Sequence, residues 1–249
     1  MERLLENKVC LVTGSAKGIG RQIAERYAKD GAIVYANDLV DGEMDEWAKT
    51  LSEKEKTTVV PLYFDICDFG AVMKAILRIK KEQGHIDVLA NNAGIVTYEP
   101  LLLIDFNKLR KMFEVNVIAM IHLIQIVSKL MKRQQSGSII NMASIVGLKG
   151  AAGQLSYSAT KGAVISTTLS ASKELAPYNI RVNAIAPGMV ATERFKKEIE
   201  GRFDDRLKSV GMGRFADPAE IADVYSFFAS DRSKYVTGQV LGVEGSFAF

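Results

Sequence analysis

Short apolar runs rich in β-branched residues alternate along the whole chain with longer segments of helical periodicity. Most runs lack the polar alternation of a solvent-facing strand, which is typical of parallel strands covered on both faces. Repeated strand, helix, strand order implies right-handed crossovers. We therefore expect an α/β fold with a doubly wound, seven-stranded parallel sheet and helices on both faces. The predicted strands span residues 8–13, 32–37, 57–64, 86–91, 138–143, 180–186 and 240–243.

The length of 249 residues suits one large α/β domain, and because no repeat or linker divides the chain we treat residues 1–249 as a single domain. A polar segment at about 190–217 departs from the alternation. A connection that long is usually functional, which favours a substrate loop with short helices; a surface insertion is the alternative. The predicted helices span residues 18–30, 43–54, 69–83, 105–133, 154–177 and 217–230.

Composition and charge argue against several classes of function. The 32 Lys and Arg and the 29 Asp and Glu are mixed along the chain, and a net charge of +3 without a basic stripe disfavours nucleic acid as a partner. We expect a cytoplasmic protein with no membrane partner, because the N-terminus lacks a signal-peptide pattern and no run reaches roughly 18 uninterrupted apolar residues. Cys10 and Cys67 lack metal-site spacing, so we expect buried reduced thiols and no metal.

A glycine-rich turn follows the first predicted strand. The stretch "VTGSAKGIG" places Gly14, Gly18 and Gly20 between that strand and the next helix, with the spacing G-x-x-x-G-x-G. Glycines let a backbone turn sharply and approach a pyrophosphate, whose charge then lies against the free amides of the helix N-terminus. The turn predicts a dinucleotide site; a ligand-free turn of the same shape is the alternative.

An acidic residue ends the second predicted strand. Asp38 lies 18 residues past Gly20, where a carboxylate can accept hydrogen bonds from the adenosine ribose hydroxyls and would repel a 2′-phosphate. Lys17 has the opposite effect, since an ammonium could pair with that phosphate. Direct repulsion at the ribose outweighs one flexible, solvated cation. We therefore predict NAD as the cofactor, with NADP as the alternative.

The stretch "SYSATKGA" places Tyr157 four residues before Lys161. On a helix this spacing brings a phenol and an ammonium to the same face. The pair alone is a weak signal, because a chain with eight Tyr produces it readily by chance. Its meaning depends on the surrounding sequence.

Taken together, several spaced motifs resemble the short-chain dehydrogenase/reductases in their single-domain form. The motifs are "TGSAKGIG", "NNAG" at residues 91–94, Asn116 in "EVNV", Ser144 after a strand, "YSATK" and "NAIAPGMVAT" at residues 183–192. The resemblance covers nearly the whole chain and implies a Rossmann fold. It also implies an NAD(P)-dependent oxidoreductase that transfers a hydride between a nicotinamide cofactor and a secondary alcohol or ketone.

The resemblance implies a role for four catalytic residues. Tyr157 would donate or accept the proton, and Lys161 together with the positive nicotinamide of NAD+ would favour the phenolate. Ser144 would hold the substrate oxygen, and Asn116 would support a water-linked proton path through Lys161. Purely structural readings stay open for two of them: Ser144 as a helix cap and Asn116 as a satisfied polar group on a helix.

The resemblance also implies cofactor and substrate contacts. Cofactor-binding residues are expected at Gly14, Ser15, Lys17, Gly18, Ile19, Gly20, Asp38, Leu39, Asp65, Ile66, Asn92, Ala93, Gly94, Tyr157, Lys161, Pro187, Gly188, Val190 and Thr192. Substrate contacts are expected at Ser144, Val146, Gln154, Tyr157 and Met189, which predicts a mainly apolar cleft with an amide at one side.

Within the family, the chain looks closest to the 3-oxoacyl-[acyl-carrier-protein] reductases, which suggests a 3-oxoacyl thioester substrate. Lys173 matches one carrier-binding position of that branch, whereas Gln135 replaces its usual Arg, with Lys132 and Arg133 nearby. That branch usually takes NADPH, which Asp38 disfavours. An NAD-dependent sugar or other small-alcohol dehydrogenase, and a nucleotide-binding sensor without turnover, therefore stay open. The resemblance further suggests a homotetramer.

Overall fold

The computed structural model describes residues 3–198 and 207–247. In these two ranges, seven strands form one sheet in the order β3-β2-β1-β4-β5-β6-β7, and each pairing is parallel. The expected doubly wound sheet is confirmed. The strands are β1 (Val9–Thr13), β2 (Ile33–Asp38), β3 (Val59–Tyr63), β4 (Val88–Asn91), β5 (Gly137–Met142), β6 (Ile180–Pro187) and β7 (Val240–Val243).

Helices cover both faces of the sheet. One apolar core lies under α1, α2 and α9, and the other lies under α3, α5 and α7. The described helices are α1 (Gly18–Lys29), α2 (Asp45–Glu55), α3 (Phe69–Gln83), α4 (Phe106–Phe113), α5 (Ala119–Gln134), α6 (Ile145–Lys149), α7 (Leu155–Leu175), α8 (Glu193–Glu198) and α9 (Pro218–Ala229). Burial of both sheet faces explains why the strand sequences lack polar alternation.

Local sequence signals set the ends of several elements. Helix α3 begins where Asp68 accepts a hydrogen bond from the Ala71 amide (3.0 Å), and it ends at Gly84, whose φ of 83° suits glycine. Strand β3 contains Pro61, which cannot donate to a ladder. Since β3 is at the edge of the sheet, its proline is tolerated there.

The helix expected over 105–133 is interrupted. Five residues, Glu114–Ile118, form a π-helical turn between α4 and α5, and they include Asn116. Such bulges occur mostly as single turns and are frequent at functional sites. The stretch Phe106–Gln134 is long and apolar enough to cross a membrane by length and composition, but half of its most apolar window is buried inside the protein. That burial is what a core helix shows.

A short helix, α6, follows β5 and packs closely on α7. A β-carbon placed on Gly147 would lie 2.7 Å from the backbone carbonyl carbon of Lys161 and 2.9 Å from its Cβ, closer than side chains normally approach. This close packing fixes Ser144, the residue just before α6, relative to the helix that carries Tyr157 and Lys161. The sequence gives no strong signal for a five-residue helix.

We expect Gly147→Ala to reduce both stability and turnover. Its methyl group must push α6 away from the α7 backbone, and overpacking of this kind costs about 1–3 kcal/mol. Urea unfolding and kcat measure the two effects. The matched control is Gly162→Ala, whose β-carbon would meet its nearest neighbour, the Gly147 carbonyl oxygen, at an ordinary 3.7 Å. That variant should be neutral or more stable, because alanine favours a helix; similar losses in both variants would contradict the prediction.

Candidate active site

The turn after β1 brings backbone groups unusually close together. Gly14 has a φ of 68°, and a β-carbon on Gly20 would overlap the Gly14 carbonyl oxygen and the Asn92 side-chain amide. Only glycine fits at Gly20. Helix α1 begins immediately after Lys17, whose side chain makes no capping bond, and no side chain in the described ranges is bonded to the first amides of α1. An uncapped helix N-terminus on a glycine turn suits the pyrophosphate of a dinucleotide.

Hydrogen bonds join this turn to the end of β4. The Asn92 side-chain amide donates to the carbonyl oxygens of Thr13 and Gly14, both at 3.0 Å. The Thr13 hydroxyl in turn accepts from the backbone amides of Asn92 and Ala93, both at 3.1 Å. Thr13 begins the "TGSAKGIG" motif but is not among the predicted site residues. Its position as the last residue of a strand, directly before the glycine turn, is the signal that could have identified it.

Asp38 lies at the carboxyl end of β2 with both carboxylate oxygens in use. One oxygen accepts a hydrogen bond from the Ala16 amide and the other from the Leu39 amide, each at 2.8 Å. These bonds orient the carboxylate against the glycine turn. Nearby, the Arg21 guanidinium is paired with Glu25 at 2.9 Å, so its positive charge is largely compensated.

A cleft of about 1060 Å³ opens at the carboxyl ends of the strands, where open α/β sheets bind ligands. Most of the sequence-predicted site residues line it. They are Gly14, Lys17, Gly18, Ile19, Gly20, Asp38, Leu39, Asp65, Ile66, Asn92, Ala93, Gly94, Ser144, Tyr157, Lys161, Pro187, Gly188, Val190 and Thr192. The cleft, the uncapped helix and the carboxylate together fit a nicotinamide dinucleotide.

Five predicted site residues do not line this cleft: Ser15, Asn116, Val146, Gln154 and Met189. The Ser15 side chain is buried and donates to the Val12 carbonyl oxygen at 2.9 Å, which stabilises the turn from behind. Met189 packs against an apolar cluster around Val210 and Phe215. Val146 lies in α6, and Gln154 directly precedes α7.

Tyr157 and Lys161 project from one helix, α7, into the cleft. The Lys161 Nζ lies 5.6 Å from the centre of the Tyr157 ring and donates to the Met142 carbonyl oxygen at 2.7 Å. Lys161 is almost fully buried, and that burial lowers the pKa of its ammonium to about 8. Ser144 lines the same cleft. A phenol, a cation and a hydroxyl therefore share one wall.

Asn116 lies behind the wall and holds it in place. Its side-chain oxygen accepts from the Ile95 amide, and its side-chain nitrogen donates to the Ile95 carbonyl oxygen, both at 2.8 Å. A further bond joins it to the Thr160 hydroxyl at 3.1 Å, next to Lys161 on α7. The π-helical turn thus places one amide between the end of β4 and α7.

The cleft also contains residues that sequence reasoning missed. Ile95, Val96 and Tyr98 follow β4, and Phe195 comes from α8. The first three could have been expected, because they directly follow the "NNAG" motif at the carboxyl end of a strand. The expected substrate loop contributes its described ends to the wall, including Thr192 and Asp217; residues 199–206 lie outside the described ranges.

A model of the short chain dehydrogenases matches residues 8–202. The chain belongs to the short-chain dehydrogenase family. Over 97% of this chain and 98% of the relative, it is 39% identical to a 3-oxoacyl-[acyl-carrier-protein] reductase of Thermotoga maritima. It is 33% identical to a 3alpha-hydroxysteroid dehydrogenase of Mediterraneibacter gnavus, over 99% of both chains.

Solved structures agree with this assignment. A 3-oxoacyl-[acyl-carrier protein] reductase from Brucella melitensis superposes with a TM-score of 0.93 at 30% identity, covering 100% of this chain and 94% of the other. An NAD+-bound xylitol dehydrogenase superposes with a TM-score of 0.92 at 30% identity, covering 96% and 98%. The protein is thus an oxidoreductase that acts on alcohol and carbonyl groups with a nicotinamide cofactor, and the family expectation is confirmed.

We expect burial of Lys161 to make stability depend on pH. Its pKa is about 8 in the folded protein against an ordinary 10.5, so between these pH values the unfolded chain binds more protons and stability rises with pH. Below pH 8 the buried charge costs about 3 kcal/mol. In urea unfolding from pH 7 to 10, the stability of the wild type should therefore rise relative to Lys161→Met.

Because Lys161→Met also loses the hydrogen bond to Met142, the absolute difference in stability from the wild type does not test the prediction. The test is how that difference changes with pH. Lys173→Met is the control, since Lys173 is exposed on the same helix. Its stability should follow the wild type across the pH range. Parallel curves for the wild type and Lys161→Met would contradict the prediction.

Proposed function

We propose that the protein is an NAD-dependent oxidoreductase that exchanges a hydride between NAD(H) and a secondary alcohol or ketone. The observation that carries the proposal is the buried Lys161 ammonium one turn from Tyr157, on the wall of a cleft that also contains an uncapped helix N-terminus. When bound, the cofactor supplies or accepts the hydride. Residues of this chain then have to manage the proton and hold the substrate oxygen.

In the reducing direction, Tyr157 gives its hydroxyl proton to the substrate oxygen while the carbonyl carbon receives the hydride. A free phenol titrates near 10, and a neighbouring cation favours the phenolate, so Lys161 makes this proton easier to release. Ser144 holds the substrate oxygen. Asn116 keeps the end of β4 and α7 at a fixed separation through its bonds to Ile95 and Thr160.

Charge at the end of β2 supports NAD over NADP. The Asp38 carboxylate is oriented by two backbone amides and would repel a 2′-phosphate. Arg21 also lines the cleft, but Glu25 already compensates its charge. Lys17 is the opposing cation at the turn, and one exposed lysine contributes little against a fixed carboxylate.

The relatives support a 3-oxoacyl thioester as the first candidate substrate. Several of those compared are 3-oxoacyl-[acyl-carrier-protein] reductases. Lys173 is exposed at the position where that branch contacts its carrier. Lys132, in contrast, lies over the Tyr178 ring at 4.2 Å, and the Gln135 side-chain amide donates a hydrogen bond to the Lys132 carbonyl oxygen at 2.8 Å. The second candidate is a sugar or other small alcohol. Asp38 supports it indirectly, because it disfavours the NADPH that the 3-oxoacyl reductases usually take, and the chain is also similar to an NAD+-bound xylitol dehydrogenase.

We further propose a cytoplasmic homotetramer with no membrane or nucleic-acid partner. Exposed apolar side chains on the π-helical turn, α5 and α7, Ile118, Ile121 and Leu169, support assembly through these helices. Light scattering gives the mass directly.

A sensor without turnover is the remaining alternative to catalysis, and it would bind NADH tightly while reducing nothing in a panel of ketones, sugars and 3-oxoacyl thioesters.

Tyr157→Phe should reduce kcat by about 10²–10⁴-fold, because the variant keeps the ring but loses the transferable proton. Initial rates of NADH oxidation with the best substrate of the panel measure the loss. NADH affinity, followed by cofactor fluorescence, should change little. As a control, Tyr235→Phe alters a fully exposed phenol and should retain wild-type kcat. Retention of full activity by Tyr157→Phe would refute the proposed proton transfer.

Asp38→Asn should relax the cofactor preference. Loss of the negative charge removes the repulsion of a 2′-phosphate, so the ratio of kcat/KM for NADH to that for NADPH should fall by about tenfold or more. Asp41→Asn, an exposed carboxylate three residues later that does not line the cleft, is the matched control and should leave the ratio unchanged. A wild-type enzyme that prefers NADPH would refute the assignment of NAD.

A further inference from the structure

The wall segment, residues 95–99, follows the "NNAG" motif and forms part of the cleft. Ile95, Val96 and Tyr98 of this segment line the cleft together with Ser144 and Tyr157. Asn116 fixes its first residue by bonding both backbone groups of Ile95, each at 2.8 Å. The contacts at the other end of the segment also help to set the position of the residues between them.

Glu99 forms the other end of the wall segment. Its side chain is only 10% exposed, unusual for a carboxylate, and one oxygen accepts from Lys108 Nζ on α4 at 3.1 Å. The second oxygen lies 3.4 Å from the Thr97 hydroxyl, which donates to it. The hydrogen bond to Glu99 raises the pKa of the Lys108 ammonium. The carboxylate therefore ties the wall segment to α4.

The backbone of Glu99 makes a second connection, to the segment before the catalytic helix. Its amide donates to the Gly153 carbonyl oxygen at 2.9 Å. The next residue, Gln154, accepts from the Ser158 amide at 2.7 Å and directly precedes α7, whose first turn carries Tyr157. Glu99 thus lies where three segments meet: the wall segment, α4 and the start of α7.

We propose that Glu99 is a positioning residue for the substrate, holding Tyr98 and the wall segment at a fixed distance from Tyr157. The apolar and aromatic surface of Ile95, Val96 and Tyr98 would contact the group attached to the reacting carbonyl carbon. Glu99 itself is not among the residues that line the cleft in the described part of the chain. The nucleotide end is fixed separately, by the Thr13 and Asn92 bonds. The inference rests on the proposed function, since it concerns that same site.

The test compares steady-state kinetics of the wild type, Glu99→Ala and Glu99→Gln with a short and a long 3-oxoacyl thioester. Glu99→Ala should raise KM for the thioesters by about tenfold, because a displaced wall segment makes weaker contacts with the bound substrate. KM for NADH should stay within about twofold of the wild type. Glu99→Gln keeps an acceptor for Lys108 and should recover part of the loss.

A double-mutant cycle separates positioning from a general structural effect. If Glu99 acts through Tyr98, Glu99→Ala should add nothing to the KM of a Tyr98→Ala enzyme. Glu6→Ala removes a carboxylate from an exposed ion pair with Arg3, before the amino end of β1 and therefore on the side of the sheet away from the cleft, and should leave both KM values unchanged. Additive effects of the two substitutions, or equal rises in KM for NADH and thioester, would overturn the proposal.

Hydrogen exchange tests the same connection without turnover. Glu99→Ala should speed exchange of the Ile95 and Glu99 amides and of Ser158 by about tenfold or more, while amides of the β1 to α1 turn stay protected. Unchanged exchange at these positions would overturn the proposal even if the enzyme reduces none of the substrates. A silent wild type with faster exchange in Glu99→Ala would refute the proposed function alone.

Discussion

The rest of the site depends on the hydrogen bonds between Thr13 and Asn92, which hold the two strand ends at the crevice together. They join the ends of β1 and β4, the two central strands between which the chain reverses its direction across the sheet. With these ends fixed, the glycine turn can approach a phosphate and Asp38 keeps its place beside it. The cost is backbone crowding that only glycine tolerates at Gly20.

The sequence predicted the sheet well for a simple reason. Strands buried on both faces must be largely apolar, so β1, β2 and β4, whose residues are mostly buried, stand out from their amphipathic neighbours. Helix α3 was equally clear, because Asp68 and Gly84 mark its two ends. The π-helical turn at Asn116 was not visible, since one extra residue in an apolar helix barely alters its periodicity. Helix α6 was too short to carry a period.

How well a site residue can be predicted likewise depends on whether the backbone of the sheet or the packing of loops sets its position. Residues in backbone-determined positions, such as Gly14 and Asp38, lie on the cleft because the strand ends fix them. The substrate contacts were harder, since side chains after α6 and β6 depend on how loops pack. Met189 shows this: it is adjacent to Val190, which lines the cleft, yet it packs into a separate apolar cluster. The role of Glu99 depends on tertiary contacts with Lys108 and Gly153, which no local pattern reveals.

Tyr157 and Lys161 belong to one rigid helix, whereas the walls facing them come from separate loops. The two side chains therefore keep their mutual geometry when the surrounding segments change. Insertions or replacements after β4 or β6 can therefore remodel the cleft around this pair of side chains. A fold that keeps such a pair on one helix and forms the facing walls from separate loops can acquire new substrates through small changes in the loops.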